Sequence, residues 1–524
     1  MREKPPEQVG RSTYTSIKSE VPLVTTALPP SRFVTSAPPS ERGFARIGEI
    51  TVLAAALALN WYAAQALPSL LFSWTSLALF AWLLLLLGRI SAAALILLLP
   101  LVITRGATLL SLMCIEAGAY MPEVNRVGET GDAAASFVAV TAIFFLVYAA
   151  VFRTFERPFL AFVRSPLLDD AVALLAWPVL LVCMAWGGIA FVHGAQDGFP
   201  LMQGVDRFLY RREFGSPIVL MLLDQKILLA AILGSIAFAP RHTPLVKGLA
   251  MATLIGLTGL YFLFGDKFFT ILTEVTVFLM PLLLQRLGRL RPTLKRLAPL
   301  AAAVLCGSLA ATLYIYSGYG RLPVDRTIAL VGERIAGQGE LWFVASREAR
   351  RATAWDETLV QRNIAILDDE NPARSAFASG LDTFYFIERY APSELADNVR
   401  KSEGWVQFTM GTEAMALVMF GYVGVVVVMG LAGVLIALLS LYLRRAFASG
   451  FPISLYFALW AYLQGYIFVQ QAAFWSIAAP GQIKRLLLFA TCELVLLALN
   501  RGQLLPLQTR GRATRLRSSL GSAA

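Results

Sequence analysis

The sequence predicts an all-α polytopic membrane protein with about twelve transmembrane helices and one large polar loop that contains short helices. Three observations predict it. Hydrophobic residues fill 57% of the 524 positions and charged residues only 15%, against roughly a quarter charged in soluble domains. Runs of about twenty apolar residues recur, each long enough to cross about 30 Å of hydrocarbon. The short alternating segments of a membrane β-barrel do not occur.

Residues 1–44 are rich in Pro, Ser and Thr and show no period. They read as a disordered tail, and the first apolar run starts too late for a cleavable signal peptide. Residues 45–316 carry nine expected spans, at 47–66, 69–88, 91–112, 135–152, 169–192, 217–239, 245–264, 268–285 and 297–316. Residues 317–409 are the long polar loop. Residues 410–500 carry three more spans, at 412–442, 453–474 and 483–500, and residues 501–524 form a short basic tail.

Charge sets the orientation, because Lys and Arg concentrate in cytoplasmic loops. With the N-terminus inside, the inner segments hold 153–164, 241–247, 286–296, Arg444–Arg445 and the basic C-terminal tail. The outer ones hold the acidic stretch 116–132, the 193–216 loop, Asp266–Lys267 and the polar loop. Both termini are then cytoplasmic. Arg207, Arg211 and Arg212 defy the bias, as do Lys484 and Arg485.

The net charge of +11 follows from this loop bias and does not point to nucleic acid. The four Cys show no metal or disulfide spacing, and two His are too few for a His-based metal site. No metal or cofactor is expected. No G-x-S-x-G, P-loop or HExxH motif occurs, so hydrolase and NTPase readings have no residues to stand on.

The polar loop carries eleven Lys/Arg and fourteen Asp/Glu, so it is not a basic anchor. Apolar residues at helical spacing (Ile328, Leu330, Val331, Ile335, then Leu341, Trp342, Ala345) predict short amphipathic helices packed on the membrane domain. So do Phe377, Leu381, Phe384, Ile387 and Tyr390. Its cluster GERIAGQGELW offers Arg334 as a fork for phosphate, Gln338 and the carboxylate of Glu340, with glycines that let the backbone approach a ligand. Arg321 and Arg326 precede it. In the 193–216 loop Arg207 and Arg211 fall on one side of a helix and suit an anionic ligand. Ionisable residues inside spans are costly and functional by default; Arg105, Asp224, Lys226, Glu274, Glu413 and Glu493 are such residues. The alternative is that they pair with one another to hold helices together.

The order of features resembles bacterial O-antigen and exopolysaccharide repeat-unit polymerases of the Wzy type. The likeness rests on GFPLMQG–VDR in the 193–216 loop, on Gly265-Asp266-Lys267, on Arg-x10-Gly spacing in the polar loop, and on TMGTEAMALVMFGYVG at its end. Lys267 stands where Arg is commoner in that family. The resemblance implies a GT-C-like fold in the bacterial cytoplasmic (inner) membrane and a metal-independent glycosyl transfer on its periplasmic face. Donor and acceptor would be undecaprenyl-pyrophosphate-linked oligosaccharides, with a chain-length regulator and a flippase as partners. Without a metal, the leaving pyrophosphate needs oriented cations. Arg334, Arg326, Arg207 and Lys267 lead, with Arg321, Arg211, Arg105 and Gln338 as further contacts. An acceptor hydroxyl also needs a base. Glu340 is the first choice, with Asp382, Glu388 and Glu413 behind it.

An O-antigen ligase shares the general plan, but such ligases carry a His in the long outer loop, and residues 317–409 contain none. A lipid-linked oligosaccharide flippase has little need for so large a loop. The expected outcome for Arg334→Ala is loss of long glycan at normal membrane expression, read from glycan length on a gel; unchanged length would move the site elsewhere.

Overall fold

A computed structural model describes residues 39–160, 166–205, 210, 216–240, 242–266, 268–320, 323, 325–326, 332, 337–349, 356–401, 411–449 and 452–495. The chain divides into two units, Met1–Val52 and Leu53–Ala524. The first contains the start of helix α1 (Pro39–Ala66), where Thr51 bonds back to the Ile47 carbonyl at 2.9 Å.

The second unit is helical apart from one small hairpin. After α1 come α2 (Leu70–Ile90), α3 (Ala92–Glu116), α4 (Ala133–Leu160), α5 (Pro166–Asp197), α6 (Pro200–Gln203), α7 (Pro217–Asp224), α8 (Lys226–Phe238), α9 (Pro244–Leu263), α10 (Phe268–Gln285) and α11 (Leu290–Gly320). The polar segment contributes α12 (Glu340–Ala349), α13 (Glu357–Ala365), α14 (Pro372–Ala378), α15 (Thr383–Tyr390) and α16 (Ser393–Lys401). Then follow α17 (Thr412–Ser449), α18 (Pro452–Gln471), α19 (Trp475–Ala478) and a last helix over 480–495.

Among the described residues, seven helices are long and apolar enough to cross a membrane, or nine if each of two bent pairs is one span. The twelve stretches read from the sequence map onto helices with three differences from that count of nine. The expected spans 268–285 and 297–316 belong to a pair that turns by 91° at Leu287. Helix α18, at the expected span 453–474, and the last helix, described over 480–495, are not among the nine. Large apolar side chains are bare on the spanning helices, including Val423 at 82% and Leu174 at 77% exposure. Water would not tolerate so much apolar surface, and lipid requires it.

Helices α2, α3, α4, α17 and α18 pack as one group, and α5 and α7–α10 as another. Small residues let backbones meet. A Cβ on Gly433 of α17 would lie 2.7 Å from the Phe144 carbonyl of α4, and one on Gly234 of α8 would lie 2.3 Å from the Phe278 carbonyl of α10. Tyr148 and Tyr462 satisfy their hydroxyls on the Ala94 and Leu97 carbonyls of α3. A narrow apolar cleft lies between the groups, lined by Pro100, Ile227, Met280, Leu459 and Tyr466.

Two elements bring polar chain onto one end of the first group. The acidic stretch 116–132 forms a hairpin, Tyr120–Met121 paired with Arg126–Val127, around Asn125 at φ 49°. Helix α12 lies against α3, α4 and α17 with Leu341 to Ser346 all buried, as the amphipathic pattern predicts. Helix α17 breaks at Gly421, whose φ of 67° favours glycine, so Thr412–Phe420 forms a separate short helix at that end.

Replacing Gly234 by Ala is expected to lower the thermal unfolding temperature in detergent, because overpacking costs about 1–3 kcal/mol. Gly248→Ala, with nothing within 4 Å of its added Cβ, is expected to be neutral or stabilising.

Candidate functional site

The charged residues expected at the site separate into three sets. The first centres on Arg105. It lies on α3 between Thr104 and Thr108, which turn their hydroxyls back onto backbone carbonyls. Its guanidinium is 2% exposed. Nη2 donates to Glu413 Oε2 at 2.9 Å and to the Val469 carbonyl at 2.7 Å, and Nη1 donates to Gln470 Oε1 at 3.1 Å. Three chain segments are thus tied to one cation: α3, the first turn of α17 and the last turn of α18. The Thr412 hydroxyl donates to the Phe468 carbonyl beside them. Arg105, expected as a contact for pyrophosphate, spends these bonds inside the protein.

The second set centres on Glu340. Ser111 lies six residues beyond Arg105, about 9 Å of helix rise, and its Oγ accepts the Gly339 amide at 2.8 Å. A Cβ on Gly339 would stand 2.8 Å from that Oγ and 3.0 Å from Leu112. The glycine of GQGE therefore allows close approach to helix α3. Glu340 is fully buried at the start of α12, where Oε2 accepts the Glu123 amide at 3.0 Å. Trp342 Nε1 donates to the Ala133 carbonyl at 2.8 Å and its ring meets Phe137 at 5.7 Å. Below, Glu116 accepts from Ser73 and from the Ala134 amide, and Asp132 accepts from Trp61. Glu340 thus clamps the polar segment to the 116–132 hairpin. Gln338 is half-buried and Arg326 exposed. Arg321, Arg334, Arg207, Arg211 and Lys267 lie outside the described residues.

The third set is Asp382. It precedes helix α15, where a sequence reader expects a capping Asp, but its side chain makes no cap bond. Its backbone sits at φ 53°, ψ −129°, a region that costs a non-glycine residue of order 1–3 kcal/mol. The carboxylate is 5% exposed. Oδ2 accepts Trp475 Nε1 at 3.0 Å, and Oδ1 is buried with no hydrogen-bond partner among the described residues. Burial pushes the carboxyl up to about 7, against the smaller opposing effect of the Trp475 bond. Gly380, at φ 58°, leaves the room that the Glu388 carboxylate occupies. Glu388 itself is half exposed and lies 3.9 Å from Arg400.

The first and third sets join through one turn. Gln470 ends α18, Ala472 takes φ 56°, and Trp475 opens α19. Within that turn Ser476 bonds the Gln464 and Ala473 carbonyls. Nothing local in the sequence signals Gln470 or Trp475, whose partners lie 365 and 93 positions away. Elsewhere, pairing wins. Lys226 Nζ meets Asp266 Oδ2 at 2.6 Å, and Glu493 is held by Tyr442 and Arg445. Among the described residues no group of three or more His, Cys, Asp or Glu is arranged to hold a metal ion.

Residues 378–483 match a family of unknown function (DUF6418). This stretch contains Asp382, Glu413, Val469, Gln470 and Trp475, so the partners of Arg105 and the whole Asp382 site fall within it. No curated protein and no solved structure matches the chain.

Arg105→Met is expected to destabilise by about 3–5 kcal/mol, since it leaves Glu413 charged and buried. Arg105→Met combined with Glu413→Met should recover most of that loss. Thermal unfolding of the three purified proteins measures both.

Proposed function

We propose that the chain polymerises undecaprenyl-pyrophosphate-linked oligosaccharide repeat units, with Asp382 as the general base. The observation that carries the reading is the Asp382 carboxylate: strained, buried, open at Oδ1, and set near neutrality. Strain and perturbed titration gather where a group serves chemistry, and a base works best with its pKa near the working pH. Asp382 meets that description better than Glu340, which opens helix α12 without the positive φ that strains Asp382.

The reading places the polar segment on the outer face, twelve spans in the bilayer and both termini inside. In the reaction, Asp382 Oδ1 accepts the proton of a sugar hydroxyl on the acceptor unit. That oxygen attacks the anomeric carbon of the donor and forms the new glycosidic bond. The bond from that carbon to the phosphate oxygen breaks, and undecaprenyl pyrophosphate leaves with the electron pair. Its charge is met by Arg334, Arg326, Arg207 and Lys267, with Arg321 and Arg211 behind them. Oriented cations of this kind stabilise the charge that develops on the leaving group. Arg105 and Glu413 hold the turn that carries Trp475, and Trp475 fixes Oδ2 so that Oδ1 faces the acceptor.

Asp382→Asn is expected to lower polymer formation by about 10²–10⁴-fold in membranes supplied with the lipid-linked unit. The variant should unfold no earlier than the parent, because it removes a carboxyl whose charged form burial disfavours. Activity of the parent should rise with pH through about 7, where Asp382 loses its proton. Full polymer length from the Asn variant would end the assignment. A strain lacking the chain should make single capped repeat units. Undecorated lipid-linked polymer would mark a ligase instead, and the absence of both would mark a flippase.

A further inference from the structure

A second buried carboxylate lies in the other helix group. Glu274 on α10 is fully buried. Its Oε2 is 3.5 Å from the Thr258 hydroxyl, and its Oε1 has no hydrogen-bond partner among the described residues. The Tyr261 hydroxyl on α9 is also buried, coupled electrostatically to Glu274, and without a partner among the described residues. Two buried polar oxygens thus lie in one apolar helix group, each without a hydrogen-bond partner among the described residues.

The charges around them are few. Lys226 and Asp266 are the charged groups that bear on Glu274. They neutralise each other at 2.6 Å, with Asp266 1% exposed. Cys183 of α5 bears on Tyr261. Of the remaining neighbours of α10, α3 brings Arg105, which is bound to Glu413, and α11 brings Arg291, Lys295 and Arg296, all exposed. Among the described residues, the charge that this pairing leaves over is that of Glu274. An uncompensated carboxylate among apolar helices is untenable; the group must hold a cation. Thr258 at 3.5 Å and the nearby ammonium of Lys226 make a poor cage for a metal cation and leave a proton as the ligand.

Lys226 also stands where the span breaks. Helices α7 and α8 meet at Gln225 with a bend of 61°, and the Lys226–Asp266 pair ties that bend to the turn between α9 and α10. Broken spans are where membrane proteins place ion sites and hinges.

We propose that Glu274 is a proton-binding site in the interior of the bundle, and that its deprotonation draws Lys226 from Asp266 toward Glu274. While Glu274 holds the proton it carries no charge, and Lys226 rests on Asp266. When the proton leaves, two carboxylates compete for one ammonium, and the helix break at Gln225 follows the winner. The proposal stands apart from the glycosyl-transfer reading and does not need it.

Dicyclohexylcarbodiimide adds to protonated carboxyls in apolar surroundings. The purified full-length protein in detergent is treated with it across an acid-to-alkaline pH series, and the modified residue is located by peptide mass spectrometry. Glu274 is expected to be labelled in acid and spared as pH rises, equally in sodium and potassium chloride, and the label should be lost in Glu274→Gln. In Asp266→Asn the ammonium is released to Glu274, so its labelling should move to lower pH. In Lys226→Met it should move to higher pH, which gives a second reading if Asp266→Asn does not elute as folded protein. Three results would overturn the proposal: no label on Glu274 at any pH in folded protein, protection by sodium alone, or titration profiles that neither variant shifts.

Discussion

The buried Arg105–Glu413 pair is the constraint on which this end of the molecule depends. A guanidinium in the middle of apolar helices has no solvent to satisfy it, so the surrounding chain must supply every acceptor. Glu413, the Val469 carbonyl and Gln470 do so. None of the three can move without stranding a charge. The start of α17, the end of α18 and the middle of α3 are fixed together as a consequence, and the turn through Ala472 to Trp475 is delivered to Asp382. A buried ion pair is not strong evidence for added stability. Here its worth is in specifying which ends meet.

That fixed frame makes the Asp382 arrangement sustainable. Backbone strain and an unsatisfied buried oxygen both cost free energy, and neither would persist on a loop able to relax. Asp382 cannot relax, because α15 packs its apolar face inward and Trp475 grips one oxygen. Glu340 shows the contrasting use of a carboxylate. Its oxygen meets a backbone amide, and its helix is bound on three sides by α3, α4 and α17. One carboxylate holds the polar segment in place; the other keeps a buried oxygen with no hydrogen-bond partner among the described residues.

The second helix group repeats the logic with a different balance. Lys226 and Asp266 pair, while Glu274 and Tyr261 each keep a buried oxygen with no hydrogen-bond partner among the described residues. In both groups the informative group is the one that the pairing leaves over.

Much of the architecture was legible from apolar length alone. Most of the expected spans appear as helices, and the amphipathic stretch at Leu341–Ala345 packs as its pattern required. Arg105, Lys226, Glu274 and Glu413 were each visible as ionisable residues in apolar surroundings. What they do was not visible, because Arg105 and Glu413 are 308 positions apart and nothing local encodes their meeting. Asp382 read as one carboxylate among several behind Glu340. Gly339 read as room for a ligand, and helix α3 fills that room. Hydropathy likewise counts apolar residues without sensing direction, so it does not register the 91° turn after α10. The sequence by itself determined an all-helical chain built for a membrane, since burying backbone in lipid needs only length and apolarity. Only the tertiary structure decided which charges cancel and which stay open, since that depends on distances between residues remote in the chain.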